Sequence, residues 1–163
     1  PFTFLSLRFL KKGLVRAESV AKLAFELEGK SYNGTAFLIA GDRLLTNHHN
    51  VFADDGVTRA TQMSAYFGDD GRQTPTEVEI DIAAAFGASH GDWAVLPIAD
   101  TGRAPLPISG TPAAEGDFVS IIQHPYGGPM KVALHRNNVV SVTSTVPDAT
   151  KNSCKPELKV PPV

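Results

Sequence analysis

At 163 residues, with 42% hydrophobic and 20% charged side chains, the chain has the size and composition of a folded globular domain, not of a disordered segment. A net charge of -2, with no dense run of Lys and Arg, leaves no electrostatic footprint for nucleic acid, and no apolar run reaches the roughly 18 residues of a membrane span. The single cysteine, Cys154, rules out an intrachain disulfide, so packing alone must hold the fold.

The chain opens on Pro1, as a processed product or an internal fragment does, so the N-terminus is expected to be incomplete and the compartment, secreted or cytoplasmic, is not readable. Residues 2–14 place Lys11 and Lys12 after an apolar stretch, the reverse of signal-peptide order, and read as a short helix or an irregular arm. Residues 20–27 alternate apolar and polar toward their end and predict a strand. Tyr32-Asn33-Gly34 is a turn signal, residues 35–39 an apolar strand, Gly41-Asp42 a second turn and residues 43–46 a second short strand, together a β-hairpin. Residues 61–67, 78–86 and 93–98 are further strands. Pro97, Pro105, Pro107 and Pro112 then cluster as at a junction between two units. Residues 117–123, 130–135 and 139–143 predict more strands, and no helix is expected between 30 and 145. Many short strands with turns between them predict an all-β barrel or sandwich.

Two local patterns carry chemistry. The hairpin ends in Leu44-Leu45-Thr46-Asn47-His48-His49-Asn50-Val51, which delivers two histidines from a rigid strand end. A histidine acts as a general base only when its tautomer is fixed and it is held near a nucleophile. The second pattern is Gly91-Asp92-Trp93-Ala94-Val95-Leu96, an acid at the mouth of a strand that is apolar on both faces. Asp92 there either caps a turn or accepts the Nδ1 hydrogen of a histidine, orienting the ring and stabilising the imidazolium.

With residues 34–39, 45–51 and 92–96 taken in this order, the chain resembles the trypsin-like serine peptidases of the chymotrypsin fold, and within them the bacterial glutamyl endopeptidase-like branch. The family patterns are Gly-Thr-Gly-Phe-Leu-Ile, Leu-Thr-x-x-His-x-Val and Asp-x-Ala-Leu-Leu; Ala36 replaces a glycine, and Asn50 stands where an apolar residue or Cys is usual. Residues 114–129 look like the segment that opens the second barrel in that branch. The resemblance covers about residues 17 to 145. It implies two antiparallel Greek-key β-barrels, the second short of strands as written. The implied layout is an N-terminal arm (1–17), a first barrel with the His and Asp (18–104), the start of a second barrel (105–145) and a divergent tail (146–163). It also implies catalytic roles for His49 and Asp92, with His48 a bystander, a polypeptide substrate and no cofactor, and it sets no oligomeric state; no Cys or His cluster has zinc-ligand spacing, so no metal is expected. His124, between Gln123 and Pro125, is expected to fix its loop by hydrogen bonding.

The family places its nucleophile in a Gly-x-Ser-Gly turn, and this chain has no glycine after Gly128. Ser153 and Cys154 lie in a Lys- and Pro-rich tail without the glycine such a turn needs. The implied function is a serine endopeptidase, with three explanations open for its absent nucleophile: a truncation or frame-shift near residue 145, an inactive domain on the protease fold, or a serine supplied by a part of the chain outside these 163 residues. The alternatives are a catalytically inactive protease-fold interaction module and a cysteine peptidase using Cys154.

Overall fold

Alternation sets the first sheet. The computed structural model describes residues 6–134 and 137–142. In β1 (Val20–Leu27) the side chains of Leu23, Phe25 and Leu27 point inward while Lys22, Ala24 and Glu26 lie on the other face. The same period of two places Ala36 and Leu38 of β2 (Lys30–Ala40), Leu44 of β3 (Arg43–Thr46) and Met63, Ala65 and Phe67 of β4 (Gln62–Phe67) in one core. Burying each large apolar side chain contributes about 1.5–3 kcal/mol.

The strands order as β5-β4-β1-β2-β3-β7-β6, with β5 spanning Thr76–Glu79, β6 Phe86–Ala88 and β7 Trp93–Pro97, and every neighbouring pair antiparallel. Three hairpin-connected strands with the fourth returning beside the first is the Greek-key arrangement. A single bridge between Ile80 and Ile98 brings the end of β5 against the end of β7, and the Asp81 N–H donates to the Pro97 carbonyl at 3.0 Å.

The all-β class follows the sequence expectation, with differences in detail. Residues 78–86 do not form one strand. They divide between β5 and β6, and residues 81–85 turn between them, with Ala84 N–H donating to Asp81 Oδ1. The N-terminal segment is a helix, α1 (Leu7–Ala17), capped by Ser6, whose hydroxyl accepts from the Phe9 N–H.

The second unit, as far as described, is a short antiparallel pairing, extended by a Gly116 N–H bond to the Val139 carbonyl at 2.8 Å. It consists of β8 (Ile121–Gln123) on β9 (Lys131–Ala133) and a bridge between Phe118 and Asn138. Residues 139–142 add no strand. Residue 143 and the tail, with Ser153 and Cys154, lie outside the described residues. The Pro-rich connector runs back along β2, where Leu106 N–H donates to the Leu38 carbonyl at 2.7 Å. Three contacts then tie the second unit to the first. His124 N–H donates to Thr35 Oγ1 at 3.1 Å, Met130 N–H donates to the Asp69 carbonyl at 2.8 Å, and Gly127 presses against Asn33. At Gly127 (φ +70°) a Cβ would lie 2.5 Å from Asn33 Cγ, so only glycine fits.

Candidate active site

The hairpin does not end in a strand at the histidines. Two residues beyond β3 the backbone tightens into a 3-10 turn, His48–Asn50. Successive residues of such a turn point about 120° apart, which separates the two imidazoles. His48 is buried and stacks on Phe52, with ring centroids 4.5 Å apart. His49 points outward, its side chain 66% exposed.

Asp92 arrives from the neighbouring strand, at the start of β7, which pairs with β3 so that Thr46 lies opposite Ala94. The β6–β7 turn closes with Asp92 N–H donating to the Ser89 carbonyl at 3.0 Å. It holds Asp92 at φ 48°, a left-handed conformation that Asp tolerates better than most residues. The turn and the chemical reading of Asp92 are therefore the same structure. Its carboxylate accepts the His49 Nδ1 hydrogen at 2.8 Å (Oδ2) and 3.0 Å (Oδ1), and the His49 backbone N–H at 3.1 Å. Asn47 Nδ2 donates to Asp92 Oδ2 at 3.0 Å and to its carbonyl at 3.3 Å. An ionised carboxylate only accepts, so Nδ1 carries the imidazole hydrogen and Nε2 keeps its lone pair. An imidazole so oriented can take a proton at Nε2 while the adjacent carboxylate stabilises the charge.

Asn47 was not singled out by sequence reasoning; its position two residues before His49 is the one local hint. Asn50 was read as a departure from the family pattern, and the structure accounts for it. Its buried side chain donates to Thr46 Oγ1 at 2.9 Å, and Thr46 donates to the Thr35 carbonyl at 2.8 Å. Gly34 leaves the room: a Cβ there would lie 2.8 Å from Asn50 Nδ2. A polar chain thus fastens the histidine turn to β2. Two concavities, of about 270 and 440 Å³, lie elsewhere on the surface and are lined by neither His49 nor Asp92. The described residues contain no group of three His, Cys, Asp or Glu that could hold a metal ion.

The sequence matches the Trypsin-like peptidase domain over residues 34–158. The chain belongs to the trypsin-like peptidase family. As a trypsin-like peptidase domain it is similar in fold to the active form of the Rv3671c protease from M. tuberculosis (TM-score 0.58, 23% identity), covering 81% of this chain and 57% of that one. It is similar also to a serine endoprotease from Yersinia pestis (TM-score 0.60, 22% identity, 80% of this chain and 43% of that one). A third similar structure is the HtrA-type protease AlgW with tripeptide (TM-score 0.57, 22% identity, 76% and 37%). The chain therefore spans less than two thirds of the length of these proteases. No curated protein matches it.

His124 lies at the seam of the two units. It is buried, its Nδ1 donates to the Gly128 carbonyl at 3.0 Å, and its Nε2 has no partner among the described residues. It fixes the 125–128 loop as expected. Burial pushes its pKa down, opposed by the Gly128 hydrogen bond and by Asp69, while Lys22 adds to the depression. With the folded-state pKa below the ordinary value near 6.5, the unfolded chain takes up the proton first as pH falls. The contribution of neutral His124 is thus complete above that value. It is lost on acidification at no more than about 1.4 kcal/mol per pH unit, until His124 titrates in the folded chain. His124→Gln should flatten the dependence of Tm on pH below about 6.5. An unchanged slope would remove His124 from the acid response.

Proposed function

We propose that the chain carries the general base and orienting acid of a serine endopeptidase, His49 and Asp92, acting by acyl transfer on a polypeptide substrate. In this reading a serine hydroxyl loses its proton to His49 Nε2 as it attacks the scissile carbonyl. His49 then returns the proton to the leaving amine, and Asp92 holds the ring throughout. The observation that carries it is the 2.8 Å contact between His49 Nδ1 and Asp92, with the His49 N–H and Asn47 Nδ2 on the same carboxylate. We place residues 1–17 as an arm, 18–104 as the first barrel, 105–145 as the opening of the second and 146–163 as a divergent tail. The finer assignment to the glutamyl endopeptidase-like branch rests on residues 114–129.

The nucleophile is the test. No Gly-x-Ser-Gly occurs in the 163 residues, so the chain as given should form no acyl-enzyme with an active-site serine reagent. Reading the coding sequence in every frame past codon 145 should reveal the motif in a shifted frame, and the restored chain should then label stoichiometrically. Labelling of Ser153 or Cys154 in the present chain, abolished by His49→Ala, would overturn the assignment of the nucleophile. Absence of the motif in all frames and in any downstream coding sequence would leave the inactive interaction module as the better reading.

A further inference from the structure

The helix α1 separates its charge from its apolar surface. At 100° per residue, Leu7, Phe9, Leu10, Leu14 and Ala17 fall within one arc, and Arg8, Lys11, Lys12 and Arg16 fall on the opposite side with Val15. None of its residues is buried; Leu7 is 76% and Leu14 71% exposed. The eleven residues contain no Asp or Glu, so they carry four positive charges in a chain whose net charge is -2. Among the described residues the ion pairs are Lys22–Asp69, Arg43–Asp42 and His49–Asp92, and none engages a cation of α1.

An isolated helix of this length is marginal in water, and most helices are stabilised by burying their apolar face. This one leaves its apolar face open, yet it is firmly joined to the barrel. Only Glu18 and Ser19 separate it from β1. The Ser19 hydroxyl donates to the Ala104 carbonyl at 2.6 Å, and the Arg103 guanidinium donates to the Glu18 carbonyl at 3.4 Å.

We propose that α1 is an interfacial helix that lies in the plane of an anionic phospholipid surface and holds the barrel peripherally against it. Charge complementarity selects this occupant. Leu7, Leu10 and Leu14 enter the boundary between headgroups and acyl chains, while Arg8, Lys11, Lys12 and Arg16 meet the headgroup phosphates. A second copy of α1 would bring four positive charges against four, and a nucleic acid would leave the leucines in water. No helix among the described residues is long and apolar enough to cross a membrane.

The experiment is co-sedimentation of the full chain with vesicles of phosphatidylglycerol mixed into phosphatidylcholine, and with phosphatidylcholine alone. Binding should require the anionic lipid and weaken as salt is raised. Lys11→Gln with Lys12→Gln should weaken it about 25-fold, roughly fivefold for each charge removed. Leu10→Asp with Leu14→Asp should abolish it. Because Leu10, Lys11, Lys12 and Leu14 are all exposed, both pairs should leave the Tm of the barrel unchanged, which separates lost binding from lost folding. Equal binding to both vesicle types, or binding indifferent to the Leu→Asp pair, would overturn the proposal. So would a chain that ignores vesicles but dimerises, or binds an acidic protein, through the same leucines.

Discussion

His49→Ala, made in a chain that carries the Gly-x-Ser-Gly turn, should reduce kcat/KM for a peptide substrate by about 10⁴- to 10⁶-fold, while His48→Ala leaves most of it. The two histidines are neighbours in sequence but sit in different environments. His49 is exposed and bound through Nδ1 to Asp92, with Nε2 turned away from the carboxylate. His48 is buried against Phe52 and faces no reacting group. Its removal should instead appear as stability, a loss of about 1–3 kcal/mol from lost packing. The pair of variants thus exchanges effects: one loses rate at unchanged Tm, the other loses Tm at nearly unchanged rate. A lethal His48→Ala with a tolerated His49→Ala would shift the general base by one residue and leave the family assignment standing.

Much of this arrangement was legible in the sequence because local signals and tertiary structure agree. Residues 20–27, 43–46 and 62–67 alternate or run apolar between turn residues, and each forms a strand within a residue of its expected bounds. The juxtaposition of His49 and Asp92 followed from two short motifs whose order matches a family pattern. The resemblance made His48 a bystander beside His49, and the structure separates the two rings with a 3-10 turn. Where sequence reading failed, a distant partner decided the local fold. Residues 78–86 look like one strand, yet the guanidinium of Arg59 donates to the carbonyls of Ile82, Ala83 and Ala85 at 2.7–3.1 Å. Those carbonyls are satisfied without a ladder, and the chain is free to turn. Asn47 was missed for a similar reason, since its value lies in reaching a residue 45 positions away.

Asp92→Asn in the same restored chain should cost about 10⁴-fold in kcat with little change in fold. The present carboxylate accepts from His49 Nδ1, the His49 N–H and Asn47 Nδ2 together. An amide has one oxygen to accept with and an NH₂ that only donates. If its oxygen keeps the His49 N–H, its NH₂ faces Nδ1 and favours the tautomer protonated at Nε2, which has no lone pair for the serine proton. If it turns the other way, the His49 N–H or Asn47 loses its acceptor, and the turn His48–Asn50 loses a tether to the start of β7. Either orientation also removes the negative charge that stabilises the imidazolium. The first effect is chemical and the second structural, and they separate experimentally. A loss in kcat at constant Tm, partly relieved at high pH where a competing base can act, marks the tautomer; a fall in Tm of several degrees marks the tether. If Asp92→Asn retained most of the wild-type kcat, Asp92 would be a turn residue alone and the general-base role of His49 would need another partner.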